Sequence, residues 1–407
     1  MGLVAKRSFL VIGIIIVCLC IALGCPAAPA RGADQSQPRQ PKTNDGADSE
    51  VGSELIAKGK ILKIIKAEKA IDPVSGEPVV NQTVRVKVTS GKYKGRQFIT
   101  VNYQTGNPVF NIFVEPGDGV VLSLILTKSG EVIEVNILDR LREQYLTFLL
   151  SLFILLLLAI GWRQGLKSLA ALGLTLVLVG GVLLPGFLRG YPPVPLTIVT
   201  AGIATALTMA VIAGFTLKSL AAILGTLGGV GVAGLLALLI GHKAHLTGFG
   251  VESAAMLLYI PQNIKLDIQG LLFSGIIVGA LGATMDVAIS IASAVAEVKK
   301  ANPRLTMGEL VGAGMNVGRD MMGTMTNTLI LAYTGSSVPL ILIFMAFRES
   351  LIKVINLDMI ASEIVRSLTG SIGMITVVPL TALVSGFLFA KTRDKREKEA
   401  EGGPIAN

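Results

Sequence analysis

Asp286 and Glu297 stand in the stretch GALGATMDVAISIASAVAEVKK, Gly279 to Lys300, most of which is apolar enough for lipid. A lone carboxylate at a bilayer centre costs about 2.5–3.5 kcal/mol on insertion scales. At about 100° per residue, Asp286, Ser290, Ser293 and Glu297 share one helical face. Gly279 and Gly282 continue that face, and the opposite one offers Val287, Ile291 and Val298 to lipid or packing. A second stripe follows in MNVGRDMMGTMTNTLILAYTG, where Asn316, Asp320, Gly323 and Asn327 share a face with Arg319 at its edge. Small residues let another backbone come close. The pattern predicts two antiparallel helices turned stripe to stripe, with Asp286 meeting Arg319 or Asp320. If the second helix ends near Gly335, Arg319 and Asp320 lie about 24 Å below its outer end at 1.5 Å per residue, matching the depth of Asp286. If it runs on to Phe347, that match fails and Asp320 sits at the cytoplasmic surface.

These residues support two readings. One is an Asp286–Arg319 pair, with Ser and Asn hydrogen bonds, that fixes helix register and adds little net stability. The other is a wet path for a proton, a cation or a small polar solute, because intramembrane ionisable groups mark such paths. Three carboxylates (Asp286, Glu297, Asp320) against one Arg leave negative charge over, which favours proton or cation chemistry.

The elements that hold these residues belong to a membrane protein. Of 407 residues, 52% are hydrophobic and 15% charged, where soluble domains carry about a quarter charged. The apolar residues come in long blocks. The formal charge of +9 does not point to nucleic acid, since the basic residues sit beside apolar blocks and no basic face with interleaved aromatics appears. The cysteines are Cys18, Cys20 and Cys25, so disulfides, thiol catalysis and cysteine metal sites are excluded from the rest of the chain.

Residues 1–32 read as a signal peptide or a first span. Lys6 and Arg7 precede an apolar core, Phe9 to Leu23, and Ala28 to Ala30 offer a cleavage site. ALGC before Cys25 is a poor lipoprotein box. Each outcome puts the next segment outside the cytoplasm. Residues 33–54 read as a flexible linker. Residues 55–140 alternate: TVRVKVT places Val84, Val86 and Val88 on one face, and QFITVNY places Ile99, Val101 and Tyr103 on one face. About five short strands predict a small extracytoplasmic β-barrel-like, OB-like domain.

Residues 145–390 predict a polytopic helical bundle of about seven spans, making the chain mainly α. The spans start near Tyr145, Leu169, Val194, Leu220, Gly270, Gly312 and Leu368. The segment Val338 to Phe347 either extends the sixth span or forms a half-span. Arg163, Lys167, Lys218, Lys299, Lys300, Arg304 and the basic tail 391–407 mark the cytoplasmic side. LKSLAA occurs at Leu166–Ala171 and again at Leu217–Ala222, as in a duplicated helical hairpin whose Ser residues could cap helices. His242 and His245 read as a solvated helix end, Glu363 with Arg366 as a surface pair, and the mixed stretches beside the outer ends as interfacial helices or lids. There is no P-loop, HExxH or GxSxG. No enzyme activity, cofactor or metal is expected. The expected partners are membrane lipid and a protein outside.

GALGATMDVAISIASAVAE, GRDMMGTMTNTLILAYTGSSVPL and ASEIVRSLTGSIGMITVVPLTA resemble the YibE/F family of bacterial multi-pass membrane proteins. The resemblance spans about Leu55 to Ala390. It implies the bacterial cell membrane and an extracytoplasmic β domain, and it supplies no substrate. Function therefore rests on the stripes: a secondary-type transporter or permeation protein, with a non-transporting scaffold as the alternative.

Overall fold

The computed structural model describes residues 51–72, 76–105, 107, 111–250, 252–259 and 266–401. The predicted leader, nearly all of the linker and the end of the tail lie outside them. The described residues form two compact units, one ending at Leu156 and the other beginning at Leu157.

The first unit carries a five-stranded antiparallel sheet in the order β3-β2-β1-β4-β5. The strands are β1 Val51–Ile71, β2 Pro78–Val88, β3 Gln97–Asn102, β4 Gly119–Thr127 and β5 Val132–Arg140. Alternation decides the inner face. Val84, Val86, Val88, Val120, Leu122 and Leu124 are all fully buried. On β3 the same rule turns Ile99 and Tyr103 outward, both well exposed, and sends Phe98, Thr100 and Asn102 inward. The amide of Gln82 both donates to Val114 O (3.1 Å) and accepts from Val114 N (3.1 Å), so a buried polar group is satisfied by the loop it holds. Thr100 Oγ1 donates to Val135 O, bringing β3 against β5.

Among the described residues, six helices are long and apolar enough to cross a membrane: α1 Glu143–Leu188, α2 Pro193–Ala213, α3 Leu217–Lys243, α4 Ile268–Ala301, α5 Met307–Ala346 and α6, apolar over Asp358–Lys391. The sequence divides α1 into two spans at RQGLKS. The structure has one long helical stretch there, broken at Trp162 by φ 43 and ψ −122. A Cβ on Gly165 would fall 2.1 Å from Leu157 O, so only Gly fits beside that break. Both LKSLAA copies follow a residue with positive φ, Trp162 (43) and Gly214 (73), and both bury their paired alanines. The second copy is capped differently from the expectation. Thr216 is the N-cap and accepts from Ser219 N at 3.2 Å, while Ser219 Oγ donates to Gly214 O.

Of the two readings of Val338–Phe347 the structure takes the continuous one: α5 runs unbroken through Pro339 to Ala346. Helix α6 continues past its apolar stretch to Glu401, because the tail is rich in Lys, Arg, Glu and Ala, all good helix formers.

Glycine builds the core of the bundle. A Cβ on Gly225 would meet Thr381 Oγ1 at 1.9 Å, and one on Gly229 would meet Val377 Cγ2 at 2.0 Å. Backbones of α3 and α6 therefore come together directly, as small residues allow in lipid. Ala221, Ala222, Val230, Ile277, Ile291, Met374 and Val378 pack in the same core.

Candidate functional site

Helix α4 begins at the N-cap Asp267, whose carboxylate accepts from Gly270 N at 2.8 Å. Helix α5 begins with a capping box: Thr306 N donates to Glu309 Oε2 at 2.7 Å, and Glu309 N donates to Thr306 Oγ1 at 3.4 Å. Such reciprocal bonds fix a helix start. The two helices run antiparallel, as the stripes predict. A Cβ on Gly314 would lie 2.9 Å from Val295 Cγ2, one on Gly318 3.1 Å from Ile291 Cδ1, and one on Gly279 2.6 Å from Tyr333 Oη.

These contacts set the depths. Gly318 is level with Ile291, so Arg319 and Asp320 are level with Ser290. Asp286 stands about 6 Å, one helical turn, above them at 1.5 Å per residue. With α5 running on to Ala346, Arg319 and Asp320 still lie about one turn from Asp286 along the paired helices. Helix α4 is long as well, and Asp286 lies near its midpoint, with Arg319 and Asp320 well inside its span.

The facing of the stripes differs from the expectation. The face of α4 that packs is Thr284, Val287, Ala288, Ile291, Ala292 and Val295, all fully buried. Asp286 and Glu297 are exposed on the other side, and Ser290 and Ser293 are half-buried there. On α5 the packing face is Leu310, Gly314 and Gly318, while Asn316, Arg319, Asp320 and Asn327 are exposed. The charged and amide members of the stripes thus lie on the outside of the packed bundle rather than against each other, while Gly279, farther along the α4 stripe, is covered by Tyr333 of α5. The physical reason is steric. Gly314 and Gly318 let α5 approach both α4 and α6, because Cβ atoms there would clash with Val295, Ala382 and Val378.

Among the described residues no ion pair or hydrogen bond holds Asp286, Arg319 or Asp320. Glu297 sits toward the cytoplasmic end of α4 by the expected orientation, 3.8 Å from Lys300 Nζ. Ser293 Oγ donates to Ile289 O of its own helix at 2.6 Å, a bond that leaves it unspent on any neighbour. Exposed carboxylates and a guanidinium at mid-helix can exchange protons, hold a cation or pair with a charge brought from elsewhere.

The Glu363–Arg366 pair expected at the surface forms, but it is largely covered. Glu363 Oε2 and Arg366 Nη1 form an ion pair at 3.1 Å, but their side chains are only 21% and 25% exposed. Tyr333, which overlies Gly279, is within electrostatic reach of both. The i,i+3 spacing was visible in sequence, but the covering helix α5 was not. The C-terminal end of α1 and the N-terminal end of α4 also line an apolar cavity of about 510 Å³, with Leu183, Phe187, Leu271 and Ser274 in its wall and Leu257 of a short helix beside them. On the β domain, Lys60 stands opposite Lys87 and Lys63 opposite Arg85, all exposed, although like charges directly across a strand pair are destabilising.

Long apolar helices with ionisable groups at mid-span, joined to a small antiparallel β unit, define a multi-pass membrane protein with an appended β domain. The chain matches the sequence model of the YibE/F-like protein over residues 149–391 and that of the YibE/F family N-terminal domain over residues 56–140. It belongs to the YibE/F family. No curated protein and no solved structure matches it.

Proposed function

We propose that this chain is a secondary-type transporter or permeation protein of the bacterial cell membrane, moving a proton, a cation or a small polar solute along the α4–α5 stripes. The observation that carries the reading is Asp286. It is an ionisable group midway along a membrane-length helix, with Arg319 and Asp320 one turn away in depth, and no side chain of the described chain neutralises it. Such a group persists in lipid-depth sequence where it faces water, a counter-charge or cargo. The proposed topology has seven spans, with the break at Trp162 dividing α1, the β domain outside and the C-terminus cytoplasmic. The β domain is read as OB-like, a reading supported by the Thr100–Val135 hydrogen bond between its edge strands β3 and β5. No enzymatic step and no nucleic acid enters this reading. The test is flux in proteoliposomes. Asp286→Asn abolishes proton- or cation-coupled uptake while the protein remains folded, and full flux from that variant overturns the proposal.

The β domain favours a second role beside it, as a capture module. Lys60, Lys87, Lys63 and Arg85 oppose one another across two strands without compensation, and Ile99 is exposed beside Arg85 in the same register. That surface fits a protein partner with an acidic, partly apolar face. In a scaffold without transport, Lys60→Glu with Lys87→Glu removes the only activity, whereas in a transporter basal flux survives that change.

A further inference from the structure

We propose that the apolar cavity between the C-terminal end of α1 and the N-terminal end of α4 holds one acyl chain of an anionic phospholipid, whose phosphate is received by Arg189. This goes beyond the transport reading and does not depend on it. Three observations support it.

The first is the chemistry of the wall. Every residue lining the cavity is apolar except Ser274, and the Ser274 hydroxyl is itself buried without a hydrogen-bond partner among the described residues. The wall therefore offers a ligand no side-chain hydrogen bond. A polar solute or a hydrated cation entering it would give up water bonds without replacement, so the cavity is no part of a polar path. Its volume of about 510 Å³ is that of a ligand site, and hydrocarbon fills it at no such cost.

The second is depth and opening. On α1 the wall runs from Val179 to Leu188, a rise of about 13 Å at 1.5 Å per residue. One leaflet of the hydrocarbon core is about 15 Å deep, so the cavity has the length of a single acyl chain in its own leaflet. The wall residues Leu184, Leu188 and Gly275 are exposed, so the cavity opens on the outside of the bundle, where acyl chains lie. Part of the α1 wall is the π-turn Val179–Leu183, and π-turns inside α-helices frequently mark functional sites.

The third is the mouth. Leu188 is followed by Arg189, which is exposed and whose guanidinium has no partner among the described residues. Tyr191, and Tyr259 two residues past the wall residue Leu257, are exposed at the same end, as aromatic residues are at the headgroup level. Asp267, beside the wall residue Leu266, is engaged in capping α4 through Gly270 N. A phosphate at this level meets a free guanidinium, with its acyl chain below it in the cavity. In the proposed topology this is the outer leaflet.

The experiment is native mass spectrometry of the full-length chain released from detergent micelles containing dioleoyl phosphatidylglycerol or dioleoyl phosphatidylcholine. The unaltered chain retains one phosphatidylglycerol, and retains it about fivefold better than phosphatidylcholine, the upper range of an exposed charge pair. Gly275→Phe sends a ring into the cavity from a position with nothing within 4 Å of its Cβ, and it lowers retention by about tenfold or more. Leu184→Trp, at an exposed wall position, does the same and carries the test if the first variant unfolds. Gly231→Phe, equally open but on α3, retains lipid as before. Arg189→Gln keeps a lipid and loses the preference for phosphatidylglycerol. Excess inorganic phosphate does not displace the lipid, because it cannot fill the cavity. No phospholipid on the unaltered chain, displacement by phosphate, or retention unchanged in a folded filling variant overturns the proposal. An undiminished preference in Arg189→Gln overturns the phosphate contact and with it the proposal as stated. None of these variants alters Asp286, so the flux test of the transport reading succeeds or fails separately.

Discussion

Gly318 of α5 lies against Ile291 of α4, close enough that a Cβ on the glycine would be 3.1 Å from Ile291 Cδ1 and 2.2 Å from Val378 Cγ1 of α6. This contact sets the depth of Arg319 relative to Asp286, and it turns the charged side of α5 away from the bundle. Gly318→Val adds atoms to a site with no room. Overpacking of this kind costs about 1–3 kcal/mol. Thermal unfolding in detergent would fall measurably, while Gly323→Val, at an open position, would leave it nearly unchanged.

The same contrast separates glycines packed in the bundle from open ones. Gly229 of α3 meets Val377 and the backbone of Gly373, so Gly229→Ala lowers the melting temperature of the monomer. Gly282→Ala meets nothing and stabilises helix α4 by up to about 1 kcal/mol through propensity alone.

In the β domain, Thr100→Val keeps the side-chain shape and removes the hydrogen bond from Oγ1 to Val135 O that ties β3 to β5. Val135 O then loses a side-chain donor. A loss of about 1 kcal/mol is expected, with faster amide exchange in β5 near Val135 than in β4.

Asp139 supplies a pH-dependent increment. The Arg142 guanidinium hydrogen-bonds its carboxylate at 2.6 Å and, with the Arg140 backbone N–H, holds its pKa below the ordinary 3.8. A depressed folded-state pKa contributes stability that is present above the unfolded value and lost as pH falls through the folded one. Both groups are exposed, so solvent screening keeps the increment small. A carboxyl-selective NMR titration should find Asp139 ionised at a pH where free Asp is partly protonated, and Arg142→Ala should return it toward 3.8.

Much of the protein follows from local pattern. The alternation in TVRVKVT put Val84, Val86 and Val88 in the β core, because side chains on a strand alternate in facing. The positions of α2 to α5 follow from apolar run length. The break in α1 follows from Arg163 and Lys167 beside Trp162, which lipid would not accept mid-span. Val338–Phe347 was ambiguous because ten apolar residues neither require nor forbid continuation of a helix, and only the intact α5 decides it.

The candidate site divides along the same line. By itself the sequence determined that Asp286, Ser290, Ser293 and Glu297 share one side of a helix, and Asn316, Asp320 and Asn327 one side of the next, since residue spacing fixes angle around a helix axis. Only the tertiary structure decided which way those sides look. The glycines that allow close approach, Gly314 and Gly318, lie opposite the charges, and helices pack where backbones can come nearest. A periodic pattern defines a face but carries no information about its neighbour, so the outward facing of Asp286 could be known only once α4, α5 and α6 were placed together.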